Sequence, residues 1–170
     1  DKQVRVIIIS SEGPTFSAGH DLKELTSSRK NPDKGRAYFK EIMTKCSNLM
    51  MTIVKNPKPI IAEVSGTATA AGCQLVASCD LAYASKSAKF ATPGVNIGLF
   101  CSTPMVAVSR NLSNKHSMEM LLNGELISAD KAEKIGLINK AIEDSLLKQH
   151  TFDVATKISK KSAITLKIGK

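Results

Sequence analysis

Two turns rich in small residues are the first candidates for chemistry. "FSAGHD", residues 16–21, follows one predicted strand, and "GTATAAG", residues 66–72, follows the next. Each turn leads into a predicted helix, where the first N–H groups lack intrahelical partners and the helix dipole favours negative charge. The N–H groups of His20 and Ala71 could therefore converge on one carbonyl oxygen as an oxyanion hole. Small residues in such turns also permit close packing, and spacing alone leaves both interpretations open.

An amide follows the second turn, at a place where proton transfer would need an acid or a base. Gln74 is the first polar side chain in the helix predicted within "SGTATAAGCQLVASCD", residues 65–80. An amide can hold a water molecule, but it neither takes nor gives a proton at neutral pH. The pattern therefore predicts a turn that stabilises an oxyanion without an adjacent proton-transfer group.

Alternating strands and helices would position the two turns. "VRVIIIS", residues 4–10, and "PIIAEV", residues 59–64, are typical of buried strands. Between them an apolar stripe from Phe39 to Ile53 predicts a long helix whose stripe belongs to the core. A strand, a crossover helix and a second strand imply parallel pairing, which brings both turns to one edge of an α/β layer.

Shorter elements follow these two strands. The sequence predicts a helix over residues 71–78, short strands after it, and further helices whose N-terminal caps are Ser113 and Ser128. The chain begins directly in a strand pattern and ends inside an amphipathic one. We therefore expect the natural protein to extend beyond both ends of this sequence.

The composition of the chain limits the number of domains and the classes of partner that it can have. The chain has 170 residues, of which 42% are hydrophobic, which is enough for one core and predicts a single domain over residues 1–170. A formal net charge of +9 fits a polyanionic partner, such as a phosphorylated cofactor or nucleic acid, and equally a well-solvated surface. No run approaches the ~18 apolar residues of a membrane span. Four cysteines without a C-x-x-C pair and three histidines predict free thiols and no metal site.

The turns and the segments behind them resemble the enoyl-CoA hydratase/isomerase (crotonase) superfamily. "FSAGHDLKEL" is similar to its first oxyanion loop, and "PKPIIAEVSGTATAAGCQLVASCDLAYASKSAKFATPGVNIGLF" to its second loop and the following segment. "NGELISADKAEKIGLINKAI" is similar to a downstream segment, so the resemblance runs in one register over residues 4–142. It implies a crotonase-like (ClpP/crotonase) spiral of ββα units over residues 1–125, followed over residues 126–170 by the start of a C-terminal helical region.

The resemblance also implies a substrate and a role for each site residue. The N–H groups of His20 and Ala71 would polarise an acyl-CoA thioester and stabilise its enolate, with coenzyme A present as part of the substrate and no separate cofactor. The substrate-binding positions carried over in this way are Ala18, Asp21, Lys23, Gly72, Cys101 and Ser102. A homotrimer or hexamer, a place in fatty-acid metabolism and a mitochondrial location are further implications.

The chain departs from the family pattern at the catalytic positions. Family hydratases carry two glutamates where this sequence has Gln74 and Gly94, and dienoyl-CoA isomerases carry a further carboxylate at the position of Ser102. Each positioned acid or base typically contributes ~10²–10⁴-fold, so the resemblance implies a very poor hydratase. We expect that restoring both glutamates would raise the hydration rate.

Other candidate groups for catalysis have weaker support in the sequence. The family uses the backbone of the residue at His20, so we interpret its side chain as a secondary candidate for a base. Cys101 and Ser102 are expected to line the acyl pocket, but no Ser-His-Asp or Cys-His order surrounds them.

Three functions remain open from the sequence. The first is an acyl-CoA-binding lyase or isomerase that relies on enolate stabilisation, and the second is a CoA binder without turnover. The third is RNA binding, because some crotonase-fold proteins bind RNA through the helix that corresponds to residues 35–55. That helix carries Arg36, Lys40, Lys45 and Lys55, but only Arg36 and Lys40 have i,i+4 spacing on one face.

Overall fold

Strands and helices alternate along the computed structural model, which describes residue 1 and residues 3–170. The strands are β1 (Ile7–Ser10), β2 (Thr15–Ser17), β3 (Ile60–Val64), β4 (Thr67–Thr69), β5 (Leu81–Ser85), β6 (Lys89–Ala91), β7 (Ile127–Ser128) and β8 (Lys140–Ile142). The α-helices are α1 (Leu22–Ser28), α2 (Arg36–Lys55), α3 (Ala71–Ser78), α4 (Ser102–Asn111), α5 (Asn114–Asn123), α6 (Ala129–Ile135), α7 (Leu147–Ser159) and α8 (Ala163–Gly169), and short 3-10 helices lie at Pro93–Ile97 and Asp144–Leu146. Within these described residues, none of the helices combines the length and the hydropathy that a membrane crossing requires.

The strands form two four-stranded sheets, ordered β1-β3-β5-β8 and β2-β4-β6-β7. Every pair is parallel except β6 and β7, which run antiparallel. The consecutive pairs β1/β2, β3/β4 and β5/β6 each send one strand into each sheet, and helices follow each pair. The chain therefore winds as a spiral, and the predicted α/β architecture of ββα units is confirmed.

The centre of the core lies where the two sheets meet α3 and α4. In β3 the side chains of Ile61, Ala62 and Val64 are fully buried, because this strand lies between β1 and β5 and is covered on both faces. The other large side chains buried in this region are Val76, Phe90, Val108 and Leu121. This continuous apolar packing holds the carboxyl ends of β2 and β4, and the turns that follow them, in fixed positions.

Several predicted elements are confirmed, with boundaries that agree to within one residue. The helix predicted over residues 71–78 is α3, and the strand predicted over residues 59–64 is β3. The hydroxyl of Ser113 accepts a hydrogen bond from the N–H of His116 at 3.5 Å, and that of Ser128 accepts one from Lys131 at 3.2 Å. Both serines therefore cap their helices as predicted.

Two strands lie inside the segments that the sequence predicts as turns. β2 and β4 have three residues each, Thr15–Ser17 and Thr67–Thr69, and they pair with one another in the second sheet. A three-residue strand is too short to show an alternating apolar pattern, so its pairing comes from the spiral and not from a local signal.

The apolar stripe of α2 is mostly not core, which corrects the sequence-based prediction. Met50 and Ile53 are buried against Ile60, but Met43 and Leu49 are 40% and 49% exposed. The part of α2 from Ile42 to Val54 borders two cavities, and its apolar side chains line them. Periodicity identified the helix correctly, but it cannot distinguish a core from a cavity wall.

Candidate functional site

The two turns of the sequence lie directly against each other, because glycines stand where they meet. An ideal β-carbon on Gly72 would lie 2.1 Å from the carbonyl oxygen of Ser17, so any side chain there would collide with the first turn. Gly19 has φ +87°, and a β-carbon on it would lie 3.0 Å from the backbone nitrogen of Ala71. The first turn thus crosses the start of α3 at van der Waals distance.

This crossing brings two unused backbone donors into one neighbourhood. The N–H groups of His20 and Ala71 donate to no acceptor among the described residues. His20 immediately precedes Asp21, whose carboxylate caps α1 by accepting the N–H of Lys23 at 2.7 Å, and Ala71 is the first residue of α3. Each donor therefore lies at the positive end of a helix dipole.

Ala70 holds the second donor in place through a strained backbone. Its φ of 51° and ψ of −121° lie in a region that residues with a β-carbon rarely adopt. Its own N–H donates to the carbonyl of Ala91 at 3.0 Å, which fixes Ala70 to β6. The strain orients the peptide between Ala70 and Ala71, whose N–H is the candidate donor.

One cavity lies beside these donors, and a second cavity adjoins it. The turn cavity, of about 300 Å³, is bounded by the two turns, the start of α3 and one side of α2, and its lining residues include His20, Ala71 and Lys45. The helix cavity, also about 300 Å³, lies between α2, α3 and α4 and has mostly apolar walls. Cys46 and Met50 of α2 line both cavities, so the two cavities adjoin at these side chains.

Gln74 faces the helix cavity from α3, one turn after the candidate donor at Ala71. The residue is 8% exposed, and its Oε1 atom is buried without a hydrogen-bond partner in the described structure. An unpaired buried acceptor costs about 1–3 kcal/mol, so this amide favours a ligand that presents a hydrogen-bond donor.

The comparisons with known proteins decide the family. A family model described as "Enoyl-CoA hydratase/isomerase" matches residues 1–170. The chain belongs to this enoyl-CoA hydratase/isomerase family. It is 53% identical to enoyl-CoA hydratase domain-containing protein 3, mitochondrial, of Mus musculus, over 99% of this chain and 55% of that protein. A probable enoyl-CoA hydratase of Bacillus subtilis is 34% identical, over 98% of this chain and 63% of that protein.

Solved structures of family members have the same fold. The crystal structure of human enoyl-CoA hydratase domain-containing protein 3 superposes with a TM-score of 0.90 at 51% identity, covering 98% of this chain and 64% of that one. An enoyl-CoA hydratase from Mycobacterium smegmatis gives a TM-score of 0.91 at 44% identity, covering 99% and 64%. These matches confirm the crotonase-like fold. The chain spans about 55% of the length of the mouse relative.

In this member of the enoyl-CoA hydratase/isomerase family, Gly94 has no room for a side chain. An ideal β-carbon on it would lie 2.3 Å from the carbonyl oxygen of Leu99 and 2.8 Å from the sulfur of Cys101. Its N–H also donates to that sulfur at 3.3 Å. A glutamate at Gly94 would therefore strain the backbone of the following turn, which limits the gain in hydration rate that we expect from restoring both glutamates.

Cys101 and Ser102 do not line either cavity, contrary to the expectation from the sequence. Cys101 is buried against Gly94, and Ser102 is an exposed residue at the start of α4. The α4 residues that do line the helix cavity are Thr103, Val106, Ala107, Arg110 and Asn111. Their three- and four-residue spacing marks one face of a helix, which is a signal that the sequence offers.

The remaining predicted positions lie on or between the turns. Ala18, Asp21 and Lys23 are exposed on the first turn and the start of α1, next to the candidate donor at His20. Gly72 is buried beneath Ser17.

Two of the thiols near the site have a pKa above the ordinary cysteine value. Burial, with a smaller contribution from the nearby Cys101, raises the pKa of Cys73 to about 12. Partial burial also raises the pKa of Cys46, which lines both cavities. Among the described residues, no three His, Cys, Asp or Glu side chains lie close enough to hold a metal ion.

Proposed function

We propose that the protein binds acyl-CoA thioesters, with the N–H groups of His20 and Ala71 donating to the thioester carbonyl oxygen. The observation that carries this proposal is the contact between the two turns, in which Gly19 lies against the nitrogen of Ala71 and leaves both donors unused. Two preorganised N–H groups at helix starts stabilise negative charge that develops on a carbonyl oxygen. An enolate formed by proton loss at the α-carbon of a thioester would be stabilised in this way.

The proposed chemistry stops at polarisation and enolate stabilisation. Gln74 presents an amide to the helix cavity and Gly94 presents no side chain, so neither position offers a group that transfers protons. We therefore propose that ordinary enoyl-CoA hydration is very slow. The alternative, favoured by the same two residues, is a CoA-thioester binder without turnover.

The cellular setting is proposed from the relatives. The mouse and human relatives are named mitochondrial, and we propose a mitochondrial location and a role in fatty-acid metabolism. A homotrimer or hexamer is supported by large apolar side chains at the surface, among them Leu99 at 61% exposure and Leu126 at 60%.

A pair of glycine substitutions tests the proposed binding mode. Gly19 and Gly13 have nearly the same φ, +87° and +86°, so alanine strains both equally, but a β-carbon on Gly13 meets nothing within 4 Å. In full-length protein we expect Gly19→Ala to weaken octanoyl-CoA binding by at least about tenfold, because its methyl group occupies the space at the Ala71 nitrogen. Gly13→Ala should change it by less than about twofold. Equal affinities of the two variants in calorimetric titration would contradict the proposal.

The donor itself can be deleted in a second experiment. Ala71→Pro removes the N–H at the first helical position, where proline is tolerated, and Ala71→Gly keeps it. We expect the C=O stretch of a bound thioester to return towards its solution frequency only in the proline variant. An unchanged stretch in that variant would show that Ala71 does not polarise the carbonyl.

A further inference from the structure

Arg110 is the only charged residue among those that line the helix cavity in the described part of the chain. The rest of the wall is mostly apolar, with Met43, Met51 and Val106 among its members. No carboxylate of the described residues lies on the wall to neutralise the guanidinium. The cavity therefore combines an apolar wall with a single positive charge.

The guanidinium of Arg110 is unpaired, and its backbone is held firmly. Its side chain makes no hydrogen bond or ion pair with any residue that the structure describes. The next residue, Asn111, donates from Nδ2 to the carbonyl of Ala77 at 2.9 Å and to that of Ala107 at 2.8 Å. These bonds fix the end of α4 beside α3 and with it the backbone of Arg110, whose exposed side chain keeps its five N–H donors available.

The spacing along α3 gives the scale of the separation between the proposed carbonyl site and the part of the helix cavity that Ala77 and Arg110 line. Ala71 and Ala77 are six residues apart on one helix, which corresponds to about 9 Å along its axis. An extended chain covers about 3.5 Å for every three bonds, so about 9 Å corresponds to about eight bonds. Gln74 lies midway, with its amide turned into the same cavity.

We infer that the helix cavity takes an acyl chain that ends in a carboxylate, and that Arg110 binds this carboxylate. The inference rests on the proposed binding of acyl-CoA thioesters. The planar guanidinium can hold a carboxylate through two parallel hydrogen bonds, and the apolar walls accommodate the methylene groups between the two ends. Arg110 is thus a residue that determines specificity, and dicarboxylic acyl-CoA esters are the substrate class.

A matched pair of ligands tests the inference in full-length protein. Suberoyl-CoA and octanoyl-CoA have the same number of carbons and differ only in the terminal carboxylate. The variants are Arg110→Met, which removes the charge, Arg110→Lys, which keeps it, and Lys134→Met as the control. Lys134 is a cation in the last turn of α6 that lines neither cavity, so it matches the helix-dipole contribution of Arg110 without its position.

We expect Arg110→Met to weaken suberoyl-CoA binding about tenfold and octanoyl-CoA binding less than about twofold. Arg110→Lys should retain part of the preference, and Lys134→Met should change neither affinity. Equal effects of Arg110→Met on the two esters, or no effect on either, would overturn the inference and leave the proposed function intact. Failure of the wild type to bind any acyl-CoA would overturn both.

Two further measurements test whether the CoA ester is required and what to conclude if the variant does not fold. Free suberate should not bind measurably, and binding of suberate that depends on Arg110 would overturn the assignment to an acyl-CoA ester. If Arg110→Met does not fold, the salt dependence of binding to the wild type tests the inference instead. Its affinity for suberoyl-CoA should then fall more steeply with added salt than its affinity for octanoyl-CoA, and parallel salt dependences would overturn the inference.

Discussion

Gly94 lies so close to Leu99 that a β-carbon on it would stand 2.3 Å from the Leu99 carbonyl oxygen. The Leu99 N–H in turn donates to the Gly94 carbonyl at 2.9 Å, so the turn folds tightly back on itself. The resemblance implies a glutamate at the position of Gly94 in family hydratases, and in this chain the backbone of the turn occupies the space that a side chain there would need.

Gly94→Ala should destabilise the fold by about 1–3 kcal/mol, because the added methyl group forces a backbone shift in a well-packed turn. Gly169→Ala is the control, since a β-carbon on Gly169 meets nothing within 4 Å. It should leave the free energy of unfolding within about 0.5 kcal/mol of the wild type. Urea unfolding of the two variants checks this, and equal stabilities would show that the turn adjusts freely.

Gln74→Glu should give measurable hydration of crotonyl-CoA, while the wild type stays close to background. The change places a single carboxylate in the helix cavity, and one positioned acid or base typically contributes ~10²–10⁴-fold. We expect the lower end of that range, because the second carboxylate of family hydratases cannot be added at Gly94 without strain. The assay is loss of enoyl absorbance on protein of verified fold and oligomer size.

The wild type is the control for this experiment. Rapid turnover by the wild type would mean that proton transfer uses a different group, and His20 would then be the next residue to substitute. Rates that stay at background for Gln74→Glu at every pH from 6 to about 9 would show that this position does not face the bound enoyl group.

The sequence predicts the meeting of the two turns better than the cavities beside them. The turns around His20 and Ala71 can be recognised in the sequence because small residues follow strands directly. Parallel pairing of the strands then brings both turns to one edge of the α/β layer. Arg110 was missed, because a single arginine at the end of an amphipathic helix resembles a residue that simply stabilises the helix dipole. Only the packing of α4 against α3 shows that it borders a cavity.

The strands of the second sheet and the burial of α2 also depended on tertiary structure. β2 and β4 are too short for a periodic signal, and their small residues match turns as well as strands. The stripe of α2 has the spacing of a core helix, but Leu49 faces a cavity. The close approach at Gly94 cannot be predicted from local sequence, since it depends on where the chain returns five residues later.

The stability of the protein should fall as the pH rises from 9 to about 12, in part because of Cys73. Burial raises the pKa of this thiol from its ordinary value of 9.0 to about 12. Between these values the unfolded chain has lost the thiol proton and the folded chain still holds it, so alkaline pH favours unfolding. The stabilising contribution is complete below pH 9 and is lost progressively above it.

Cys73→Ala isolates this contribution. The variant should show a shallower decline of the free energy of unfolding between pH 9 and about 11 than the wild type, because it lacks the Cys73 thiol. A decline remains in the variant, because lysines, tyrosines and Cys79 titrate in both proteins. Denaturant unfolding at several pH values provides the measurement, and only the slopes are compared, since the substitution also changes packing. Identical slopes would mean that the thiol of Cys73 ionises in the folded protein as easily as in the unfolded chain.

Ala70→Gly should raise the free energy of unfolding by about 1 kcal/mol, although glycine usually weakens a fold. The φ of 51° and ψ of −121° at Ala70 cost about 1–3 kcal/mol for a residue with a β-carbon, and glycine adopts them freely. The greater freedom of glycine in the unfolded chain offsets only part of this gain. Ala71→Gly is the matched control, because its φ is not positive and it should lose up to about 1 kcal/mol.

The same pair of variants also reports on the proposed donor. If strain at Ala70 orients the peptide that carries the Ala71 N–H, relieving it permits other orientations, and octanoyl-CoA should bind less tightly to Ala70→Gly in spite of its greater stability. Urea unfolding and calorimetric titration on the same preparations measure the two effects. A loss of stability in Ala70→Gly equal to that in Ala71→Gly would show that the backbone at Ala70 is not strained. Higher stability with unchanged affinity would show that β6, through the bond from the Ala70 N–H to Ala91, fixes the peptide without help from the strain.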